Sequence, residues 1–394
     1  MRTLIIGALP CLLIVQADAQ TPLTFQDIQG KARPAPEQWR TESLLAERRL
    51  QSTESKGFLR EGPTVALLAG PRRTPGAGSS TDKGFEVDLP LFLSPKTRAA
   101  LESSLGKAHP LMVEAARREG QFRLKNAYLD AWLASRTVVL READLHTVDR
   151  WLEAAKTRLE AGADPAFQVS LVEGERLKVQ QDLDDARVQE FRTWGSLVAL
   201  ADLSVAPAPL ADPGPVSAVP TVDLDRRLQE GPLRKALLAQ TDLEAQSLRL
   251  KEAQSLSRWS LRGSYASEGE EKVTRFGLAL RLPRPGQADA IRRTTEVQLR
   301  AVQGEARLAL AELDARAEAA YNRIKKVSAT TAVPDFSRSL EAVSLRLQEG
   351  RERPSEALPI RRQLLESQMA SLRQIRAQHL LVAELQALLP EVNP

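Results

Sequence analysis

The side chains that most often do covalent or metal chemistry are scarce and scattered in this sequence. His109, His146 and His379 are its only histidines and Cys11 its only cysteine. No two histidines stand at the H-x-x-x-H spacing that puts both imidazoles on one helix face, so no metal site is expected. There is no glycine-rich phosphate loop, no dinucleotide fingerprint and no nucleophile elbow. Carboxylates are plentiful, but in runs such as LREADLHTVDRWLEAAKTRLEAG they are interleaved with Arg and Lys. That is the pattern of an ion-paired helix face, not of a catalytic acid and base. The expectation is a chain that is not an enzyme and uses no cofactor.

What recurs is a pattern suited to recognition. Residues 152–162, LEAAKTRLEAG, and 340–350, LEAVSLRLQEG, agree at six of eleven positions, and both contain R-L-x-x-G. Ordinary helix termination explains one copy, with glycine as left-handed cap and arginine answering the helix dipole. Two matched copies need a duplicated frame. Pro90 to Tyr128 and Pro283 to Tyr321 supply it, since both pairs are 38 positions apart. The chain reads as an internal repeat.

The elements that carry these turns follow the same order twice. In FEVDLPLFL, Phe85, Val87, Leu89 and Leu91 alternate with Glu86, Asp88 and Pro90, the period-two signature of a strand with one apolar and one wet face. Phe276, Leu278, Leu280 and Leu282 repeat it, with Arg275 before the first and Arg281 between the last two. A long helix-forming stretch follows each strand pair: the first is about 65 residues or roughly 100 Å long at 1.5 Å per residue, with bends expected at His109-Pro110 and Gly120, and the second, from about Pro285, is interrupted near Val333-Pro334. Gly162 with Pro165, and Gly350 with Pro354, then turn the chain into a second long helix.

The resulting division is 1–19 as a leader, 20–203 as the first repeat, 204–220 as a Pro-rich linker and 221–394 as the second repeat. Strand pairs are expected at 63–93 and 258–283, helical hairpins at 94–203 and 285–389. The leader has Arg2, an apolar stretch from Leu4 to Val15 and Ala17-Asp18-Ala19 before the cut, the layout of a secretory signal. Cleavage there would remove Cys11. The net charge of +4 is small for 394 residues and comes with no concentrated basic patch, so no nucleic-acid partner is expected.

Two strand pairs give four strands, too few to close a barrel, and open edges cannot face lipid. Three copies would supply twelve, an even number in the range of outer-membrane barrels. On this reading Phe85, Val87, Leu89, Leu91, Phe276, Leu278, Leu280 and Leu282 face outer-membrane lipid, while Glu86, Asp88, Arg275 and Arg281 face an aqueous lumen. The helical hairpins of a homotrimer would pack as a tube continuing the barrel, because a lone two-helix hairpin leaves its apolar stripe wet.

In the order of its elements, in the paired turns RLEAGADP (158–165) and RLQEGRERP (346–354), and in the strand-to-helix passage DLPLFLSPKTRAALESS (88–104), the sequence resembles the TolC-like outer-membrane efflux proteins. The resemblance covers nearly the whole chain after the leader. It implies a fold that is mainly α with a small β part: a trimeric 12-stranded β-barrel continued by an α-helical coiled-coil tunnel reaching into the periplasm. It implies a passive exit duct working with a periplasmic adaptor protein and an inner-membrane pump. Arg158, Leu159, Gly162, Arg346, Leu347 and Gly350 become the adaptor-docking residues, and Asp164 and Glu356 the carboxylates nearest the entrance. The alternatives are a periplasmic adaptor, expected to carry one hairpin and many strands, and a secreted or periplasmic coiled-coil scaffold.

Overall fold

The computed structural model describes residues 21–54, 64–74, 78–91, 95–214, 224–256, 259–268, 271–280, 285–326 and 333–390. The leader with Cys11, the expected linker from 215 onward, and Arg281 and Leu282 lie outside them.

Nine helices and four strands are described: α1 (Phe25–Gly30), α2 (Pro36–Glu54), β1 (Thr64–Thr74), β2 (Gly78–Pro90), α3 (Pro95–Glu160), α4 (Ala166–Leu200), α5 (Leu224–Gln229), α6 (Pro232–Leu256), β3 (Trp259–Glu268), β4 (Glu271–Leu280), α7 (Gln287–Lys326), α8 (Ser337–Gln348) and α9 (Pro354–Leu388). α3 runs unbroken through Pro110 and Gly120. A proline inside a helix removes one hydrogen bond, and over 66 residues the flanking turns carry it. Within the expected strand pair, β1 takes in PRRT and β2 takes in GSSTDK, beyond the alternating run of FEVDLPLFL. α1 was not expected, although Thr24 and Asp27 spell its capping box.

The chain divides into two compact units, and each draws on both halves of the repeat. One comprises residues 1–33, 124–215 and 330–379 and contains both R-L-x-x-G turns; the other comprises 34–123, 216–329 and 380–394 and contains the sheet. α3 contributes to both.

In the first unit the core is helix on helix. Val148, Trp151, Leu152 and Ala155 of α3 pack on Val169, Val172 and Val179 of α4 and on Leu347, Ala357 and Leu358 of α8 and α9. In the second, Leu101, Leu105, Ala108 and Met112 of α3 meet Leu45 of α2 and Ala236, Leu243 and Leu250 of α6. Tyr321 of α7 joins Leu385, Leu388 and Leu389 in a further cluster. Spacings of three and four along each helix produce these stripes.

The sheet is antiparallel throughout, in the order β1-β2-β3-β4. Directly opposed residues share a face, so the register sorts the side chains. Phe85 stands opposite Leu67 and Tyr265, Val87 opposite Val65 and Gly263, and Gly263 opposite Phe276. Leu89, Leu261 and Leu278 form another row, and Trp259 opposes Leu280. Gly84 is required where β2 meets β3, because a Cβ there would lie 2.6 Å from the Tyr265 carbonyl oxygen.

Candidate functional site

Two features of the molecule are placed to meet something outside it: the faces of the sheet and the paired turns.

The sheet sorts most of its side chains by face, although Leu68, in register with Gly84, lies exposed on the polar side. On one face Val65, Leu67, Phe85, Leu261, Phe276, Leu278 and Leu280 are exposed, Leu67 by 85% and Phe276 by 81%. Phe85 and Tyr265 stack across the β2–β3 seam with ring centroids 5.7 Å apart. The opposite face carries Glu86, Ser264 and Arg275 in one row and Asp88 and Arg262 in the next. Arg262, absent from the expected polar set, bridges two rows: it lies 2.8 Å from Glu86 and 3.2 Å from Asp88. The period-two pattern of SLRGSY was its available signal. So wide an exposed apolar face is unusual for a protein surrounded by water. Among the described residues no helix is long and apolar enough to cross a membrane.

The two turns close alike. In the first, Gly162 has φ 67 and its N–H donates to the Leu159 carbonyl, while Ala163 N–H donates to the Arg158 carbonyl at 2.8 Å. In the second, Gly350 has φ 77, its N–H donates to the Leu347 carbonyl, and Arg351 N–H donates to the Arg346 carbonyl at 2.9 Å. Both are Schellman closures in which Arg, Leu and Gly hold the same three positions.

Their side chains differ. The Arg158 side chain is only 14% exposed; its Nε lies 2.7 Å from Asp164 Oδ2, and its Nη1 donates to the Leu347 carbonyl at 3.0 Å. It therefore ties one turn to the other, and Asp164 is taken up by that tie. A Cβ on Gly350 would stand 3.0 Å from Arg158 Nη1. Arg346 and Leu159 are exposed, and Leu347 is fully buried. Glu356 is exposed, and its carboxylate faces the Arg353 backbone N–H at 3.4 Å. Further ties join the two hairpins. Trp151 Nε1 donates to Ser344 Oγ at 2.8 Å, and Gln168 Oε1 accepts from Ser355 N–H at 3.3 Å.

Beyond the turns lies a cluster the sequence reading did not single out. Arg361 of α9 is 2% exposed and contacts Asp144 of α3 (4%) and Glu175 of α4 (5%); Arg362 contacts Glu175 from its other side. Arg362 holds the Glu175 carboxyl below its ordinary range, against burial, whereas burial pushes Asp144 up despite Arg361. A cavity of about 470 Å³ borders the cluster, with Lys178, Leu365 and Met369 among its walls. The signal lay in the spacing. Arg361 falls on the stripe of Ala357, Leu358, Leu365 and Leu372, where an apolar residue would be ordinary.

The histidines stay apart from all of this. His146 is exposed on α3, and His379, near Lys125 and the Gly214 backbone, is pushed down chiefly by burial. Among the described residues no three His, Cys, Asp or Glu side chains come together to hold a metal ion.

No protein-family model and no curated protein matches the sequence. Solved structures do match in fold. The outer-membrane channel OprN aligns at TM-score 0.68 and 13% identity, over 89% of this chain and 86% of that one. The outer-membrane protein VceC of Vibrio cholerae aligns at 0.66 and 15%, over 90% and 93%. The MtrE outer-membrane channel of Neisseria gonorrhoeae, in its open state, aligns at 0.65 and 16%, over 92% and 87%. The chain has the fold of these outer-membrane proteins, mainly α with a small antiparallel sheet.

Proposed function

We propose that this chain, folded as those channels are, is one protomer of a homotrimeric outer-membrane efflux duct. The observation that carries this reading is the sheet. Its four strands have one exposed apolar face and one ionic face, and β1 and β4 are edge strands. Lipid on one side and an aqueous lumen on the other would cover both faces, and three copies would abolish the edges by closing twelve strands. Arg262 bridging Glu86 and Asp88 is the kind of charge a water-filled lumen tolerates and hydrocarbon does not.

On this reading the helices continue the barrel as a tunnel in the periplasm, and the two turns meet a periplasmic adaptor that links the duct to an inner-membrane pump. Arg346 and Leu159, exposed in the single chain, are the adaptor-facing members of the six turn residues. Arg158 and Leu347 act by holding the turns in place. The duct changes no bond. A scaffold that stayed in water would keep the helices but leave the apolar face of the sheet uncovered.

Phe276→Arg tests the assignment of faces. Placed toward lipid, an arginine near the bilayer midplane costs about 2–4 kcal/mol, so the variant should be depleted from the outer-membrane fraction while its helical circular dichroism stays normal. Arg275→Glu, on the other face, should insert as the wild type does. Wild-type insertion of Phe276→Arg would overturn the assignment.

A further inference from the structure

We propose that Arg361 sets the pivot of the second hairpin, so that opening is confined to residues 337–358, on the turn side of Arg361, while α9 beyond it stays clamped to α3 and α4. The inference rests on the duct reading for the purpose of the movement, and on α8 and α9 for its location.

Two independent features meet here. The first is the clamp. Arg361 engages a carboxylate on each helix of the first hairpin, Asp144 and Glu175, with all three side chains at least nine-tenths buried. Sliding α9 past α3 or α4 at this level would strand a charge in the interior, and buried charges do not tolerate loss of a partner. The second feature is Pro359, inside α9 two residues before the clamp. It has no N–H to give the carbonyl one turn back, so the helix is weakest where the clamped part begins.

On the turn side the ties are of another kind. Leu347, Ala357 and Leu358 pack on Val148, Trp151 and Val172, and apolar contacts are non-directional and can re-form after a shift. The polar ties there are neutral on at least one side: Trp151 to Ser344, Arg158 to the Leu347 carbonyl, and Gln168 to Ser355. The first hairpin has no counterpart of this joint, since in α4 the proline precedes the helix at Pro165. The two hairpins, alike in sequence at their turns, are thereby unequal in freedom.

Hydrogen exchange on the purified full-length protein tests this. In the wild type, amides of 363–378 should exchange about tenfold or more slowly than those of 340–356, as expected when two segments open separately. Arg361→Gln should erase the difference by speeding the first group. Pro359→Ala, which restores the missing N–H, should slow the second. Equal exchange in the wild type, or a difference that survives Arg361→Gln, would overturn the proposal. Should Arg361→Gln fail to fold, Pro359→Ala decides alone, with unchanged exchange on the turn side counting against the pivot. The pattern is read whether or not the protein conducts, so its failure is separable from failure of the duct reading.

Discussion

Replacing Arg361 by methionine removes a buried charge that pairs α9 with both helices of the first hairpin. The two carboxylates do not suffer equally. Glu175 keeps Arg362, so its charge remains paired. Asp144 keeps only Arg141, whose Nη1 is 4.0 Å away and which also lies 3.1 Å from Asp182. Removing one partner of a buried pair costs about 3–5 kcal/mol. The cavity beside Asp144 lets water approach the stranded carboxylate, which places this case near the lower end, about 3 kcal/mol.

Two further features identify the mechanism. Burial already raises the Asp144 pKa, so the stranded group is penalised while ionised, and the cost should shrink as pH falls through that raised value. Adding Asp144→Leu should recover most of the loss, because an apolar pair of similar volume often replaces a buried ion pair without cost. Denaturant unfolding followed by helical circular dichroism gives the readout, since Trp151 is one of five tryptophans and its fluorescence does not stand alone. A loss under about 1 kcal/mol, well below the range for a broken buried pair, would show that Arg361 is not a clamp, as would a double variant no more stable than Arg361→Met.

Arg117 and then Arg118 hold the Glu114 carboxyl down at about 2. A depressed pKa contributes stability above the unfolded value that is lost as pH falls through the folded one, so the advantage of wild type over Glu114→Gln should vanish between about pH 4 and pH 2 in thermal melts. Gly350→Ala should lower the melting temperature more than Gly162→Ala: both pay the left-handed strain of about 1–2 kcal/mol, but only the first meets Arg158. Arg158→Glu should destabilise the folded protein by breaking its tie to the Leu347 carbonyl. Arg346→Glu should leave melting unchanged and reduce cross-linking to a co-expressed adaptor.

The element order was legible because its signals are periodic. Phe85, Val87 and Leu89 alternate with Glu86 and Asp88, and the strand and its two faces follow from that alone. The R-L-x-x-G copies marked the ends of α3 and α8 because arginine, leucine and glycine occupy fixed places in a Schellman closure. Less legible was how matched residues diverge in use. Arg158 and Arg346 are equivalent in sequence, yet one is folded inward by Asp164, six residues on, and by a carbonyl 189 residues away. Nothing local to either arginine encodes that carbonyl. The division into units was hidden for a related reason: α3 reads as one helix, and only its partners show that it serves two cores. Arg361 was the most readable of the missed residues, a charge on an apolar stripe. Its meaning needed Asp144 and Glu175 beside it, each from a different helix.

On the duct reading, lipid covers the exposed apolar face of the sheet once three copies close around a lumen. Fractionation of producing cells, followed by chemical cross-linking of the detergent-extracted membranes, tests it most directly. A trimer in the outer-membrane fraction is the expected result. A monomer or dimer in the soluble periplasmic fraction would contradict it.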